Sequence, residues 1–288
     1  MSLPIGLRIP GSIKSQGMER VVVWAKEVGL GSLDLSGPAP EEVRIIDQAG
    51  LVLGSIDAVG VGDLLTKDAE RRGRGMVSLL ERIDRTADVG GKTLFAVLHP
   101  GEPLSRRESF EVWKEAIGPV VDRLEQRGIS LAIEGFPGGG PEYRSLGCTP
   151  ETLRAIFAHC PSSALGICFD PSHLVRLGID YIRFLDEFGG RVRHCHGKDT
   201  ELLPEGQYLY GNLLPSFDKS VAFSEGPWRY CVPGDGIVDW SRVASRLELH
   251  GYHGPIAIEL EDFRFAGTLE RNQAGVSKAI AHLKRAIA

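Results

Sequence analysis

The sequence predicts an α/β protein with a single domain over residues 1–288, a closed (β/α)8 barrel of the TIM-barrel type. Eight short apolar segments alternate with longer amphipathic segments along the whole chain. Strands that alternate with helices in this way form parallel sheets. The length of 288 residues suits a barrel that folds as one unit. An open doubly wound sheet is the main alternative, but no turn carries its dinucleotide-binding fingerprint.

The predicted strands are short runs rich in apolar residues that are followed by polar or turn-forming residues. In chain order they cover residues 5–9, 32–36, 51–58, 93–100, 130–136, 165–173, 192–199 and 255–261. The predicted helices have apolar residues at helical spacing and cover residues 17–28, 40–49, 68–89, 107–127, 149–159, 178–188, 239–250 and 268–287. Two helices end in a glycine shortly before a strand, at Gly29 and Gly128, which is a common helix stop signal.

Composition and charge argue against some classes of binding partner. The net charge of −5 and the pI of about 5.9 disfavour a nucleic-acid partner, which usually requires a basic face. No segment approaches the ~20 apolar residues of a membrane span, so we expect no membrane partner. The five cysteines are odd in number and lack CxxC spacing, which argues against a disulfide framework and favours a reducing, cytoplasmic location. The N-terminal segment lacks the features of a signal peptide.

Side chains able to bind a metal lie at the ends of the last four predicted strands. They are Glu134 on the fifth strand, Asp170 and His173 on the sixth, His196 on the seventh, and Glu259 and Glu261 on the eighth. The carboxyl ends of the strands form the active site in barrels of this kind. Any one of these residues alone is more often a helix cap or a solvated turn residue. The joint pattern indicates a site for a divalent metal.

The alternation of side chains along a strand tests this arrangement. Glu134 shares one side of its strand with Ala132, and Glu259 shares one side with Ala257, whereas the larger apolar residues lie on the opposite sides. Both glutamates could therefore point into the mouth of the barrel. On the seventh strand, His194, His196 and Lys198 share one side. We expect His194 to support His196 from the layer below, with Lys198 and Asp199 on the substrate side.

Four segments, taken in order and spacing, resemble the xylose isomerase-like TIM barrels of the sugar phosphate isomerase/epimerase superfamily. They are IEGF (133–136), FDPSH (169–173), HGKD (196–199) and IELED (258–262). The segment 197–240 is similar to a subgroup of sugar isomerases and epimerases. The N-terminal half is similar only in its rhythm of strands and helices.

The resemblance implies one divalent metal held by Glu134, Asp170, His196 and Glu259. It also implies that His173 and Lys198 contact the substrate. Three carboxylates and one imidazole suit Mn²⁺ or Mg²⁺ best, with Zn²⁺ or Co²⁺ as alternatives. The implied function is an isomerase or epimerase of carbohydrate metabolism that forms an enediolate on the metal. Glu134 and Glu259 are then the acid/base pair that removes and returns a proton beside the carbonyl.

Further substrate contacts are expected from three other regions. The long segment 200–238 lacks a predicted helix or strand and is rich in aromatic residues, so Tyr208 and Trp228 could form a lid over a sugar. The alternative is that they pack this segment onto the barrel or a second subunit. His99 ends the fourth strand and Asp34 lies near the end of the second, where each could bind sugar hydroxyls.

Three other functions remain as alternatives. A metal-dependent lyase that dehydrates a keto-cyclitol or keto-sugar could use the same residues, because enolisation is the shared first step. An endonuclease of the AP type shares the fold but needs several zinc ions and more histidine ligands. A non-catalytic sugar-binding protein would not require the full ligand set. The expected partners are a small-molecule sugar and further copies of the chain in a homodimer or homotetramer.

Overall fold

The computed structural model describes residues 3–287, which form a closed parallel barrel surrounded by helices. The strands are β1 (Ile5–Arg8), β2 (Ser32–Leu35), β3 (Val52–Asp57), β4 (Thr93–Val97), β5 (Ser130–Glu134), β6 (Leu165–Phe169), β7 (Val192–Gly197), β8 (Asp199–Leu202), β9 (Trp228–Cys231) and β10 (Ile256–Ile258). Eight of them close the barrel in the order β1-β10-β7-β6-β5-β4-β3-β2. This confirms the predicted (β/α)8 fold, and each predicted strand has its counterpart in the barrel.

Each predicted helix is also present. The helices are α1 (Gly11–Lys14), α2 (Met18–Val28), α3 (Pro40–Gln48), α4 (Val61–Leu64), α5 (Ala69–Asp88), α6 (Arg106–Arg127), α7 (Pro150–His159), α8 (Pro171–Arg176), α9 (Tyr181–Phe188), α10 (Pro204–Tyr210), α11 (Trp240–Leu249) and α12 (Leu269–Ala286). The sequence did not predict α1, α4, α8 and α10, which are four to seven residues long. So short a helix has too few turns to show a periodic pattern.

The helices and cysteines bear on the expectations about membranes and disulfides. No helix within residues 3–287 is both long enough and apolar enough to cross a membrane. All five cysteines are free thiols. Four of them, Cys148, Cys168, Cys195 and Cys231, are buried.

The strands separate two apolar regions, as their alternation requires. On β5, Leu131 and Ile133 belong to the large core between barrel and helices. Ala132 instead belongs to a small separate cluster with Phe95 and Cys168. Ala132 therefore faces the barrel interior, and Glu134, two residues further on, lies on the same side at the mouth. The predicted direction of Glu134 is confirmed by this division.

Residues 199–238, which we call the insert, include the segment 200–238 that the sequence predicts to be irregular, and the structure differs from that prediction. They contain the antiparallel hairpin of β8 and β9 and the helix α10. The two strands pair from Asp199 opposite Cys231 to Leu202 opposite Trp228. Twenty-five residues separate β8 from β9, so no short turn motif marks this hairpin in the sequence.

The carboxylate of Asp199 fixes the insert to the barrel. It accepts hydrogen bonds from the backbone N–H groups of Thr200 (2.8 Å), Val238 (3.0 Å) and Gly234 (3.1 Å) and from Trp240 Nε1 (3.2 Å). The expectation that Asp199 lies on the substrate side is therefore wrong. Its side chain turns toward the end of the insert, where it satisfies four donors.

We expect Asp199→Asn to lower the free energy of unfolding by about 2 kcal/mol or more, because the amide nitrogen would face two of these N–H donors where an accepting oxygen now lies. Urea denaturation measures this loss. Asp218→Asn is the matched control in the insert, since exposed Asp218 accepts, among residues 3–287, only the hydroxyl of Tyr210. Its effect should stay below about 0.5 kcal/mol. Equal effects of the two substitutions would contradict this role of Asp199.

Candidate active site

Carboxylate and imidazole groups converge at the carboxyl ends of the barrel strands. One ligand atom from each of Glu134, Asp170, His173 and Glu259 lies within 4.8 Å of the others. His196 Nδ1 lies 2.6 Å from Glu134 Oε1 and 3.5 Å from Glu259 Oε2. The structure therefore brings together the four predicted metal ligands and His173. We call these five residues the ligand cluster.

Asp170 combines a structural contact with a free oxygen. It is the N-cap of α8, and its Oδ1 accepts hydrogen bonds from the backbone N–H (2.9 Å) and the hydroxyl (2.6 Å) of Ser172. Pro171 occupies the first helical position, where its missing N–H costs nothing. Oδ2 is buried and accepts no hydrogen bond from the described residues. Asp170 therefore has the capping role that the sequence offered as an alternative, and its second oxygen is still available to bind a metal ion.

Lys198 is the main cation beside the ligand cluster. Its side chain is almost fully buried, and Nζ lies 3.1 Å from Asp170 Oδ2, 2.5 Å from Glu259 Oε2 and 3.0 Å from Glu261 Oε2. Burial opposes the charge, but the carboxylates of Asp170, Glu259 and Glu261 raise the pKa of Lys198 well above its ordinary value. Lys198 is therefore an ammonium ion that offsets part of the negative charge.

The two central glutamates are ionised. Burial and the Glu259 carboxylate oppose the charge on Glu134, but the imidazoles of His196 and His173 hold the pKa of Glu134 below its ordinary value. Burial also opposes the charge on Glu259, but Lys198 and then His196 hold the pKa of Glu259 well below its ordinary value. Both carboxylates can therefore accept a proton or bind a cation near neutral pH.

His194 and Asp34 lie next to His196 in the barrel interior. His194 Nε2 lies 2.8 Å from Asp34 Oδ2, and Asp34 Oδ1 accepts the backbone N–H of Ser55 at 2.8 Å. The His194 ring meets the His196 ring edge-on, with centroids 5.2 Å apart. This position agrees with a supporting role for His194. Both oxygens of Asp34 are used within the protein, so its expected contact with a sugar hydroxyl gains no support.

The other three predicted substrate residues lie outside the ligand cluster. His99 follows β4, and its Nδ1 is 2.9 Å from the Ser145 hydroxyl. Tyr208 lies on α10 with 83% of its surface exposed. Trp228 on β9 is 7% exposed and packs against Tyr230 at a centroid distance of 4.7 Å. Substrate contacts by His99, Tyr208 and Trp228 stay predictions, and the burial of Trp228 agrees with packing of the insert onto the barrel.

Three residues near the site were not predicted from the sequence. Arg8 Nε lies 3.3 Å from Glu259 Oε1, and Arg8 also forms an ion pair of 2.5 Å with Asp57. Both end barrel strands, β1 and β3, so the strand-end rule that identified Glu134 would have found them. Tyr230 contacts His173 from the insert. No sequence pattern connects those two residues, which are 57 positions apart.

The ligand cluster fits a divalent metal. Asp170 Oδ2 is a buried acceptor without a hydrogen bond among the described residues, and the ionised carboxylates of Glu134 and Glu259 lie beside it. His196 adds an imidazole nitrogen that faces both glutamates. Oxygen-rich donor sets with one imidazole bind Mg²⁺ or Mn²⁺, and zinc is also compatible with them.

Comparison with known proteins agrees with the fold. The model of the family described as xylose isomerase-like TIM barrel matches residues 15–286. The inosose dehydratase of Geobacillus thermodenitrificans (strain NG80-2) is 23% identical over 160 residues, which cover 56% of this chain and 50% of that protein. The chain thus spans about half the length of the first curated relatives that it matches.

Two solved structures extend the similarity over nearly the whole chain. The apo form of 3-keto-D-glucoside 4-epimerase, YcjR, from E. coli has a TM-score of 0.69 and 16% identity, and the alignment covers 98% of this chain and 99% of that one. The IolI protein with a bound zinc atom has a TM-score of 0.65 and 17% identity, with 93% and 90% covered. At these identities the two likenesses show a shared fold.

We expect Lys198→Met to lower the free energy of unfolding by about 3 kcal/mol in the presence of a chelator, because Asp170, Glu259 and Glu261 would lose their buried counter-ion. Urea denaturation at pH 8 measures the change. Lys278→Met is the control, since half-exposed Lys278 pairs with Asp235 at 2.6 Å, and its removal should cost less than about 1 kcal/mol. A loss at Lys198 no larger than that at Lys278 would show that Lys198 does not balance this charge.

Proposed function

The chain belongs to the xylose isomerase-like TIM-barrel family, and from this premise we propose that it is a metal-dependent isomerase or epimerase of a sugar or keto-sugar. The observation that carries the proposal is the convergence of Glu134 and Glu259, both ionised, with Asp170 and His196 at the mouth of the barrel. The similarity to a sugar epimerase structure and to an inosose dehydratase supports an enzyme that acts on sugars.

Glu134, Asp170, His196 and Glu259 would hold the divalent ion, with Mn²⁺ or Mg²⁺ preferred and Zn²⁺ or Co²⁺ as alternatives. When bound, the ion would offset the negative charge that develops on the substrate oxygens during enolisation. The zinc atom bound by the IolI protein, which shares this fold, supports a divalent ion in this chain.

The acid/base step belongs to Glu134 and Glu259. One carboxylate takes the proton from the carbon beside the carbonyl. It returns that proton to the enediolate on the same face, or the other glutamate, after taking up a proton from solvent, protonates the opposite face and the first glutamate then releases its proton to solvent. Transfer between opposite faces of the substrate gives an epimer, and transfer on one face gives an aldose–ketose isomer. Each glutamate is ionised before the reaction, so each can start as the base. Their cationic neighbours, Lys198 and Arg8 at Glu259, keep the charge of the pair tolerable.

A metal-dependent dehydratase of a keto-cyclitol or keto-sugar is the second candidate. The match to an inosose dehydratase favours it. Proton removal by the same glutamates would be followed by departure of a hydroxyl group as water, in place of reprotonation at carbon. The ammonium group of Lys198, 3.1 Å from Asp170 Oδ2, would protonate that leaving oxygen.

We expect the purified protein to contain about one divalent ion per chain after dialysis without chelator, as elemental analysis would show. In D2O, incubation with keto-sugars should place deuterium on the carbon beside the carbonyl, because solvent-exchangeable carboxylates carry the proton. Mass spectrometry then separates the two candidates, since an isomer keeps the mass of its substrate and a dehydration product loses water. A metal-free protein that Mn²⁺ does not stabilise against heat would overturn the proposal.

We expect Glu134→Gln and Glu259→Gln each to lower kcat by roughly 10³-fold or more, because an amide cannot accept the proton. Initial rates report the loss, and circular dichroism checks that the fold is retained. Glu187→Gln serves as the control, because Glu187 pairs with Arg154 on the outer helices and should keep the wild-type rate. Near wild-type activity in either glutamate variant would remove that residue from the acid/base pair.

A further inference from the structure

The hydroxyl of Tyr230 lies between two side chains of α8. Its Oη is 2.6 Å from His173 Nδ1 and 2.7 Å from Arg176 Nη1. We infer that Tyr230, oriented by Arg176, fixes the tautomer of His173 so that the ring carries its proton on Nε2 and donates into the ligand cluster. Tyr230 and Arg176 are then positioning residues for His173.

The direction of the hydrogen bonds follows from the number of protons available. A guanidinium can only donate, so Arg176 supplies the proton in its bond to Tyr230 Oη. The tyrosine hydroxyl has one proton of its own, and among residues 3–287 His173 Nδ1 is its only remaining partner. Burial raises the pKa of Tyr230 well above its ordinary value, so the hydroxyl keeps this proton. Nδ1 therefore accepts from Tyr230, and the ring N–H of His173 is on Nε2.

Lys198 offers the one competing arrangement. Its Nζ lies 3.4 Å from His173 Nε2 and could in principle donate to that nitrogen. An ammonium group has three protons, and Glu259 Oε2 and Glu261 Oε2 accept two of them at 2.5 and 3.0 Å. If the third went to Nε2, Nδ1 would carry the ring proton and donate to Tyr230, and the buried hydroxyl proton of Tyr230 would then have no acceptor among residues 3–287. The contact of 2.6 Å with Tyr230 therefore decides the tautomer.

Arg176 is held from several directions, which gives Tyr230 a defined orientation. Its side chain is 2% exposed and pairs with Glu225 at 2.8 Å. It donates to the carbonyl of Gly138 at 3.2 Å, and its guanidinium lies 4.1 Å from the ring centroid of Trp228. These partners come from the insert and from the loop after β5. The orientation of Tyr230 thus depends on the packing of the insert against the barrel.

The consequence lies at the site itself. His173 Nε2 is 3.4 Å from Asp170 Oδ2 and 3.5 Å from Glu134 Oε2, so its N–H is aimed at the space that the ligand cluster surrounds. This assignment rests on the proposed function: the N–H donates a hydrogen bond to an oxygen of the bound sugar, either a carbonyl or a hydroxyl oxygen. Because Nδ1 accepts the hydroxyl proton of Tyr230, moving the ring proton from Nε2 to Nδ1 would break this buried hydrogen bond.

Nitrogen NMR tests the tautomer independently of any activity. Protein with ¹⁵N-labelled histidine and diamagnetic Mg²⁺ is recorded at neutral pH, and loss of resonances in His173→Gln assigns the ring. We expect the Nδ1 shift of an unprotonated nitrogen and the Nε2 shift of a protonated one. A wild-type spectrum with the opposite assignment, or with both nitrogens protonated, would by itself overturn the inference.

Tyr230→Phe removes the fixed donor. We expect the His173 resonances to move toward the Nδ1-protonated form or an exchange average, and kcat to fall by roughly 10- to 100-fold, as for other residues that orient a functional histidine. Tyr210→Phe, a hydroxyl loss elsewhere in the insert, should leave the spectrum unchanged. Unchanged resonances in Tyr230→Phe would also contradict the inference. If the tautomer is as inferred but no keto-sugar reacts, the proposed function fails and the positioning role stands.

Discussion

The balance of charge at the barrel mouth is the constraint on which the rest of the site depends. Glu134, Asp170 and Glu259 place carboxylates within 4.8 Å of one another, with Glu134 and Asp170 buried and Glu259 partly buried. Buried like charges are costly unless cations and hydrogen bonds compensate them. Lys198 supplies an ammonium against two of these carboxylates, and Arg8 supplies a guanidinium against Glu259. A divalent ion would complete this compensation, so metal binding and stability should be coupled in this protein.

The insert contributes to the site mainly by positioning side chains, and less by covering the barrel mouth. Asp199 joins its two ends through four hydrogen bonds. Arg176 joins it to α8 and to the loop after β5. Through Tyr230 these contacts reach His173, which faces the ligand cluster. The polarity of one imidazole in the barrel mouth thus depends on a hairpin that is separate from the barrel sheet. The aromatic residues of the insert fall into a buried group that orders the site and an exposed group around Tyr208.

The barrel and most of the ligand cluster could be predicted from local patterns, and the reason is geometric. Parallel strands bring their carboxyl ends to one face, so a chemical group at each strand end implies proximity even for residues as distant as Glu134 and Glu259. Alternation then indicates the side on which each group lies. The same rule applied to the first and third strands would have added Arg8 and Asp57. The direction of Asp199 could not be predicted, because it depends on donors that lie some 35 to 41 positions away.

The sequence by itself determined the eight strands, their helices and the residues at the strand ends, because these features depend on periodicity and on turn signals within a few neighbours. Only the tertiary structure decided how the side chains pair. Two examples depend on atoms from distant segments: the contact between Tyr230 and His173, and the burial of Lys198 among carboxylates. Local propensity carries no information about such contacts, whose free energy depends on distance, burial and the number of protons available to share.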